Sequence, residues 1–97
     1  MSENRESCDC RKVADYDHIE RPGDFYFQPV QGVAGENCLH VMLPGNVFIM
    51  IGVAVGPAST PKVWGWDGNE ERPTLEPSIH TVGHWHGFLK AGRLVSC

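Results

Sequence analysis

The chain has 97 residues, 12 acidic and 8 basic, and a formal net charge of −4. That length sets one domain as the expectation. The acidic balance argues against a sequence-independent grip on nucleic acid, which needs a basic footprint, and against attraction to an anionic membrane surface. The first seven residues are polar and lack the apolar stretch of a secretory leader. The longest apolar run, Val47–Val55, has nine residues, where a spanning helix needs about 20. A soluble, cytoplasmic protein is therefore expected. In a reducing compartment its four cysteines read as thiols or metal ligands rather than as two disulfides.

Residues 1–21 show no periodic apolar face. They are read as an N-terminal tail, poorly ordered or dependent on a partner, with at most a helical turn around Arg11 to Asp17. Residues 22–97 are read as one all-β domain of two or three antiparallel hairpins. Pro22-Gly23 marks its start, and Phe25-Tyr26-Phe27-Gln28 is aromatic and strand-like. Residues 32–35 read as a loop. A strand over residues 37–43 turns at Pro44-Gly45-Asn46 into Val47–Val55, the expected central strand. At period two, Val47, Ile49, Ile51, Val53 and Val55 share one face and Phe48, Met50, Gly52 and Ala54 the other. Both faces are apolar, as in a strand covered on both sides.

Residues 56–61 read as a loop. Trp64 and Trp66 then share the face of a short strand and are expected in the core. Asp67, Asn69 and Glu70 resemble fragments of a calcium loop, but their spacing fits a turn better. Pro73 and Pro77 exclude a helix interior or a central strand, leaving an extended edge or a structured loop. The final hairpin turns at Ala91-Gly92, which sets Lys90 against Arg93, Leu89 against Leu94, Phe88 against Val95 and His86 against Cys97. If the strand is extended, one face collects His84, His86, Phe88, Val95 and Cys97, and the other Trp85, Leu89 and Leu94.

Imidazole and thiolate are the usual zinc ligands, and a structural site is closed by four of them. A second i, i+2 pair, Cys38 and His40, stands on the middle strand. The most economical ligand set is Cys38, His40, His86 and Cys97, with His84 as a substitute and Cys8 and Cys10 as competitors. The cofactor expected is a structural zinc stapling the hairpins. The competing reading has His84 and His86 as surface or hydrogen-bonded residues and Cys38 as a small buried hydrophobe. An enzyme is the second alternative. The H-x-H pair resembles that of cupin-type metal enzymes, which would make the protein a small hydrolase or oxygenase. The glutamate such enzymes carry after the second histidine is missing, and no serine sits in a nucleophile elbow. A Cys97–His86 dyad is disfavoured because a neighbouring terminal carboxylate opposes thiolate formation.

"WDGNEERPTLEPSI" followed by "HWHGFLKAGRLVSC" resembles a family of small proteins common in phages and prophages, with relatives in some bacterial ubiquitin-like operons. The matching positions are Trp64, Trp66 to Asn69, Pro73 to Leu75, Pro77 to Ile79, Trp85 to Gly87, Leu89, Gly92 and Cys97, and "PGDFYFQP" adds to the likeness. Many members have a cysteine-rich stretch where Asn37-Cys38-Leu39-His40 stands here, which implies a metal site split between the middle strand and the terminal hairpin. The resulting expectation is a phage-type, metal-binding β module in the host cytoplasm. It would act by binding another protein, occluding a host defence factor, and would form a homodimer or act alone. No nucleic acid or membrane partner is expected.

Overall fold

The computed structural model describes residues 4–30, 36–57 and 63–97. The strands are β1 (Cys8–Asp9), β2 (Arg11–Lys12), β3 (Asp24–Pro29), β4 (Glu36–Leu43), β5 (Val47–Val55), β6 (Trp64–Trp66), β7 (Leu75–Glu76), β8 (Ile79–Thr81), β9 (Trp85–Lys90) and β10 (Arg93–Ser96). A 3₁₀ turn at Tyr16–His18 is the one helical element among the described residues. The all-β expectation holds. Four strands form a sheet in the order β1-β10-β9-β8, and six form a second in the order β2-β3-β4-β5-β6-β7.

The hairpin registers follow the alternation. Leu43 opposes Val47 across Pro44-Gly45-Asn46, and Leu39 opposes Ile51. Gly45 and Asn46 take the positive φ values, 88° and 62°, that so tight a connection demands. The last hairpin turns at Ala91-Gly92 with Lys90 against Arg93 and Leu89 against Leu94. In the larger sheet Phe25, Phe27, Leu39, Val41, Leu43, Ile51, Val53 and Trp66 point inward. In the smaller one Ile79, Trp85, Leu89 and Leu94 do so, and together they form one core. Trp66 stacks on Phe27 with ring centroids 4.4 Å apart, while Trp64 packs at the edge. Asp67 and Asn69 turn their side-chain oxygens onto the backbone N–H groups of Asn69, Thr74, Glu71 and Arg72, which makes that segment a turn. Pro73 to Pro77 contains the short edge strand β7.

Two expectations are corrected. The outer face of β5 is not covered: Phe48 is 44% and Met50 64% exposed. An apolar sequence on both faces therefore does not imply burial on both. The N-terminal segment is not a loose tail. Cys8 and Asp9 pair with Leu94 and Arg93, and Arg11 and Lys12 run parallel to Asp24 and Phe25. The segment crosses from one sheet to the other and protects an edge of each, which backbone pairing achieves without an apolar period. The loops expected over 32–35 and 56–61 lie wholly or mostly outside the described residues.

Asp24 is the polar anchor of this crossing. Its side chain is 1% exposed and accepts from Arg11 Nε at 3.0 Å, Arg11 Nη2 at 2.8 Å, and the N–H groups of Glu20 and Arg21 at 3.0 and 3.2 Å. Burial by itself would raise its pKa, but the Arg11 bonds and the two backbone donors outweigh it and hold the carboxyl below its ordinary value. Folding therefore favours the ionised form. The stabilisation is fully present above the unfolded value of about 3.9 and disappears as pH falls through the lower folded value. Asp24→Asn should cost about 2–3 kcal/mol at pH 7, because it loses a charge-assisted pair and leaves buried donors poorly matched. Between pH 5 and pH 2 the gap in melting temperature between wild type and variant should narrow. A gap that stays constant would remove Asp24 as the source of acid sensitivity.

Candidate active site

The link from β7 to β8 carries the chain from the larger sheet to the smaller through Pro77 and Ser78. β8 then pairs with β9, setting Ile79 against Gly87, His80 against His86 and Thr81 against Trp85. Alternation puts Ile79, Trp85 and Gly87 in the core and leaves Ser78, His80 and His86 on the outer face. Ser78 lies diagonally across the ladder from His86, a relation that a long side chain can bridge. Ser78 Oγ is 3.1 Å from His86 Nε2. With the proton on Nδ1, the serine hydroxyl donates to Nε2, the pairing by which a base activates an alcohol nucleophile.

Each half of the pair is held from outside. The Trp64 indole N–H donates to the Ser78 carbonyl at 3.4 Å, tying the sheet-switching corner to β6. The His80 ring stacks on that of His86 with centroids 4.3 Å apart and planes inclined at 26°. No carboxylate is hydrogen-bonded to His86 among the described residues, so stacking on His80 restrains the imidazole. Beneath the site, the Trp85 indole N–H donates to the Glu6 carbonyl at 2.9 Å, and Asn4 N donates to the His84 carbonyl at 2.7 Å. The N-terminal segment thus props the β8–β9 turn. Beside His86, on the β10 side, lies a cleft of about 200 Å³ lined by Asn4, Arg5, His86, Ser96 and Cys97.

The residues expected to bind metal are distributed over two faces. Cys38 and His40 lie on the outer face of the larger sheet, and His86 and Cys97 belong to the smaller one, so the shared core stands between the pairs. His84 is in the exposed turn between β8 and β9 and not in line with His86. Cys97 does oppose His86, donating its N–H to the His86 carbonyl at 3.0 Å. His40 is buried among Tyr16, Tyr26 and Phe48, with Nε2 3.0 Å from Gln28 Oε1. Burial lowers its pKa and raises that of the Cys38 thiol. No group of three or more His, Cys, Asp or Glu side chains placed to hold a metal ion occurs among the described residues. The expected metal-binding role is therefore corrected by the alternation itself, which sends Cys38 and His40 to one outer surface and His86 and Cys97 to the other.

Nor do the buried thiols compete with Ser78 as nucleophiles. Burial, reinforced by the nearby Cys8 thiol, pushes Cys10 up to about 12, and burial also raises Cys8. Both stay protonated near neutrality and so lack the reactive thiolate.

Ser78 was absent from the sequence-based candidates. Its signal was present as S-x-H running into one short strand and W-H-G opening the next, eight residues from Ser78 to His86. That signal becomes readable only once residues 79–81 are recognised as a strand. No helix of the described residues is long and apolar enough to cross a membrane.

Comparison with curated proteins gave no significant match, and comparison with solved structures gave none either. A family model described as bacterial ubiquitination-like system serine protease (BubE) matches residues 12–97. The match contains both Ser78 and His86. It overturns the expectation of a phage-type metal-binding module that acts by occluding another protein, and equally its metalloenzyme alternative. The chain belongs to the BubE family, the serine proteases of a bacterial ubiquitination-like system.

Proposed function

We propose that this protein is a serine peptidase in which Ser78 is the nucleophile and His86 the general base and acid, acting on a protein substrate of a bacterial ubiquitination-like system. The observation that carries the reading is the 3.1 Å contact between Ser78 Oγ and His86 Nε2 inside a chain of a serine protease family. Ser78 Oγ attacks the scissile carbonyl carbon while its proton passes to His86 Nε2. The tetrahedral adduct collapses as His86 returns that proton to the leaving amine nitrogen, and the C–N bond breaks. Water, deprotonated by the same imidazole, then attacks the ester carbonyl, and the Ser78 hydroxyl is regenerated with release of the acid. Both side chains are half-buried and open to solvent on one side, as a polypeptide substrate requires.

The test is covalent capture. A fluorophosphonate probe reacts with a serine only when a base activates it. It should label the protein once, with the adduct mapped to Ser78 by peptide mass spectrometry, and His86→Gln should abolish labelling while the variant stays folded. Labelling at another serine, or equal labelling of His86→Gln, would refute the assignment.

A further inference from the structure

The cleft of about 200 Å³ beside His86 has no part in the chemistry just described. Its walls are Asn4, Arg5, His86, Ser96 and Cys97, so it is built from the N-terminal segment and the last strand. No carboxylate side chain lines it. Arg5 is exposed and has no ion-pair partner among the described residues, whereas Arg11, Lys12, Arg21 and Arg93 each face a carboxylate. Among the described residues, Arg5 is thus a cation at this cleft with no carboxylate, the α-carboxylate of Cys97 included, within ion-pair distance.

Its position relative to the dyad says which part of a substrate it meets. β9 lies between β8 and β10. Ser78 approaches His86 from the β8 side, and Ser96 and Cys97 flank it on the β10 side. In acyl transfer the acyl half stays on the serine, and the leaving amine takes its proton from the imidazole. The leaving half must then run over His86 and away from Ser78, which is toward the β10 side and the cleft. From this, resting on the Ser78–His86 reading, we infer that the cleft is the subsite for residues C-terminal to the scissile bond and that Arg5 makes it selective for a carboxylate there.

The volume is below the range of about 300–1,000 Å³ usual for pockets that enclose a small molecule. It suits one or two residues of modest size, with a carboxylate reaching Arg5. That carboxylate can come from an acidic side chain or from the free C-terminus of a short leaving segment. Because Arg5 is exposed, the selectivity is modest: an exposed ion pair contributes about 0.2–1 kcal/mol, or up to about fivefold in kcat/KM, fading as salt rises.

The experiment uses the full chain and internally quenched peptides carrying Glu, Gln or Lys at each of the first three positions after the cleaved bond. Each peptide is made with a free and with an amidated C-terminus. Wild type should cleave Glu peptides, or those with a free C-terminus, about two- to fivefold faster than the neutral ones. The Glu-against-amide comparison identifies the source of the carboxylate. Arg5→Glu should invert the preference toward Lys, and 0.5 M salt should flatten it. If the peptides turn over too slowly to rank, their protection of Ser78 against the fluorophosphonate ranks them instead. Normal labelling of Ser78 with charge preferences that Arg5→Glu leaves unchanged would overturn this inference and leave the dyad standing. Loss of both labelling and cleavage in the wild type would overturn the dyad, and this inference with it.

Discussion

Gly87→Ala should cost this protein a large part of its stability and its active site together. An alanine Cβ at this position would lie 2.3 Å from the Val95 carbonyl oxygen and 2.4 and 2.6 Å from two carbons of the Trp85 ring. None of these can give way cheaply. Val95 O is backbone of the paired strand, in register with β9, and Trp85 is fully buried with its indole N–H tied to Glu6. Relief requires β9 and β10 to separate or the indole to leave the core. Overpacking of a dense interior typically costs 1–3 kcal/mol, occasionally more, and the upper end applies where one obstacle is backbone. About 3 kcal/mol corresponds to a fall of roughly 12–24 °C in melting temperature for a domain of this size, out of a total stability of about 5–15 kcal/mol. The neighbouring residue is His86, so displacement of β9 also breaks the 3.1 Å contact with Ser78. Gly83→Ala is the control. That glycine has a φ of +80° but open space around it, and only the left-handed penalty of about 1–2 kcal/mol applies. If calorimetry places Gly87→Ala within a few degrees of wild type and no lower than Gly83→Ala, the close-approach argument fails.

The same glycine shows what alternation made legible and what it hid. Val47–Val55, the Pro44-Gly45-Asn46 turn and the Ala91-Gly92 hairpin were readable because turn chemistry and β-branched residues fix register locally. The opposition of His86 and Cys97 followed from counting outward from that turn. What counting within one hairpin cannot supply is which sheet a strand joins. Cys38 and His40 looked like natural partners for His86 and Cys97 because all four are ligand types. Yet the core of Phe27, Leu39, Ile51, Trp85 and Leu94 divides them. The N-terminal strands were illegible for a related reason. Two-residue strands have no period, and Cys8–Asp9 and Arg11–Lys12 are held by backbone pairing and by Asp24, not by an apolar face. Ser78 was hidden twice, behind a proline pair that reads as a loop and at the head of a strand of only three residues. The family-like motif "PTLEPSI…HWHG" contained both members of the dyad, but a shared motif does not say which of its residues touch.

Removing the Ser78 hydroxyl should abolish turnover while leaving the fold in place. Ser78→Ala deletes one hydrogen bond between half-buried groups, worth about 1 kcal/mol, or roughly 4–8 °C in melting temperature. Circular dichroism should therefore be unchanged. Catalysis depends on the same atom far more steeply, because without a nucleophile no acyl-enzyme forms, and only binding and polarisation of the substrate remain. The expected loss in kcat is about four to six orders of magnitude. His86→Ala should lose a comparable amount, since an unassisted serine hydroxyl is a weak nucleophile at neutral pH. The double variant should lose scarcely more than either single one, because the two residues act as a unit and their effects do not add. His80→Ala should fall well short of that, roughly tenfold, because His80 stacks on the ring of His86 and acts by restraining it. Steady-state kinetics on one cleaved peptide, read beside the melting curves, decides among these. Independent, additive losses for Ser78→Ala and His86→Ala would mean that the two groups do not cooperate in one step. Retention of wild-type turnover by Ser78→Ala would place the nucleophile elsewhere, and the 3.1 Å contact would then be a hydrogen bond that only fastens β8 to β9.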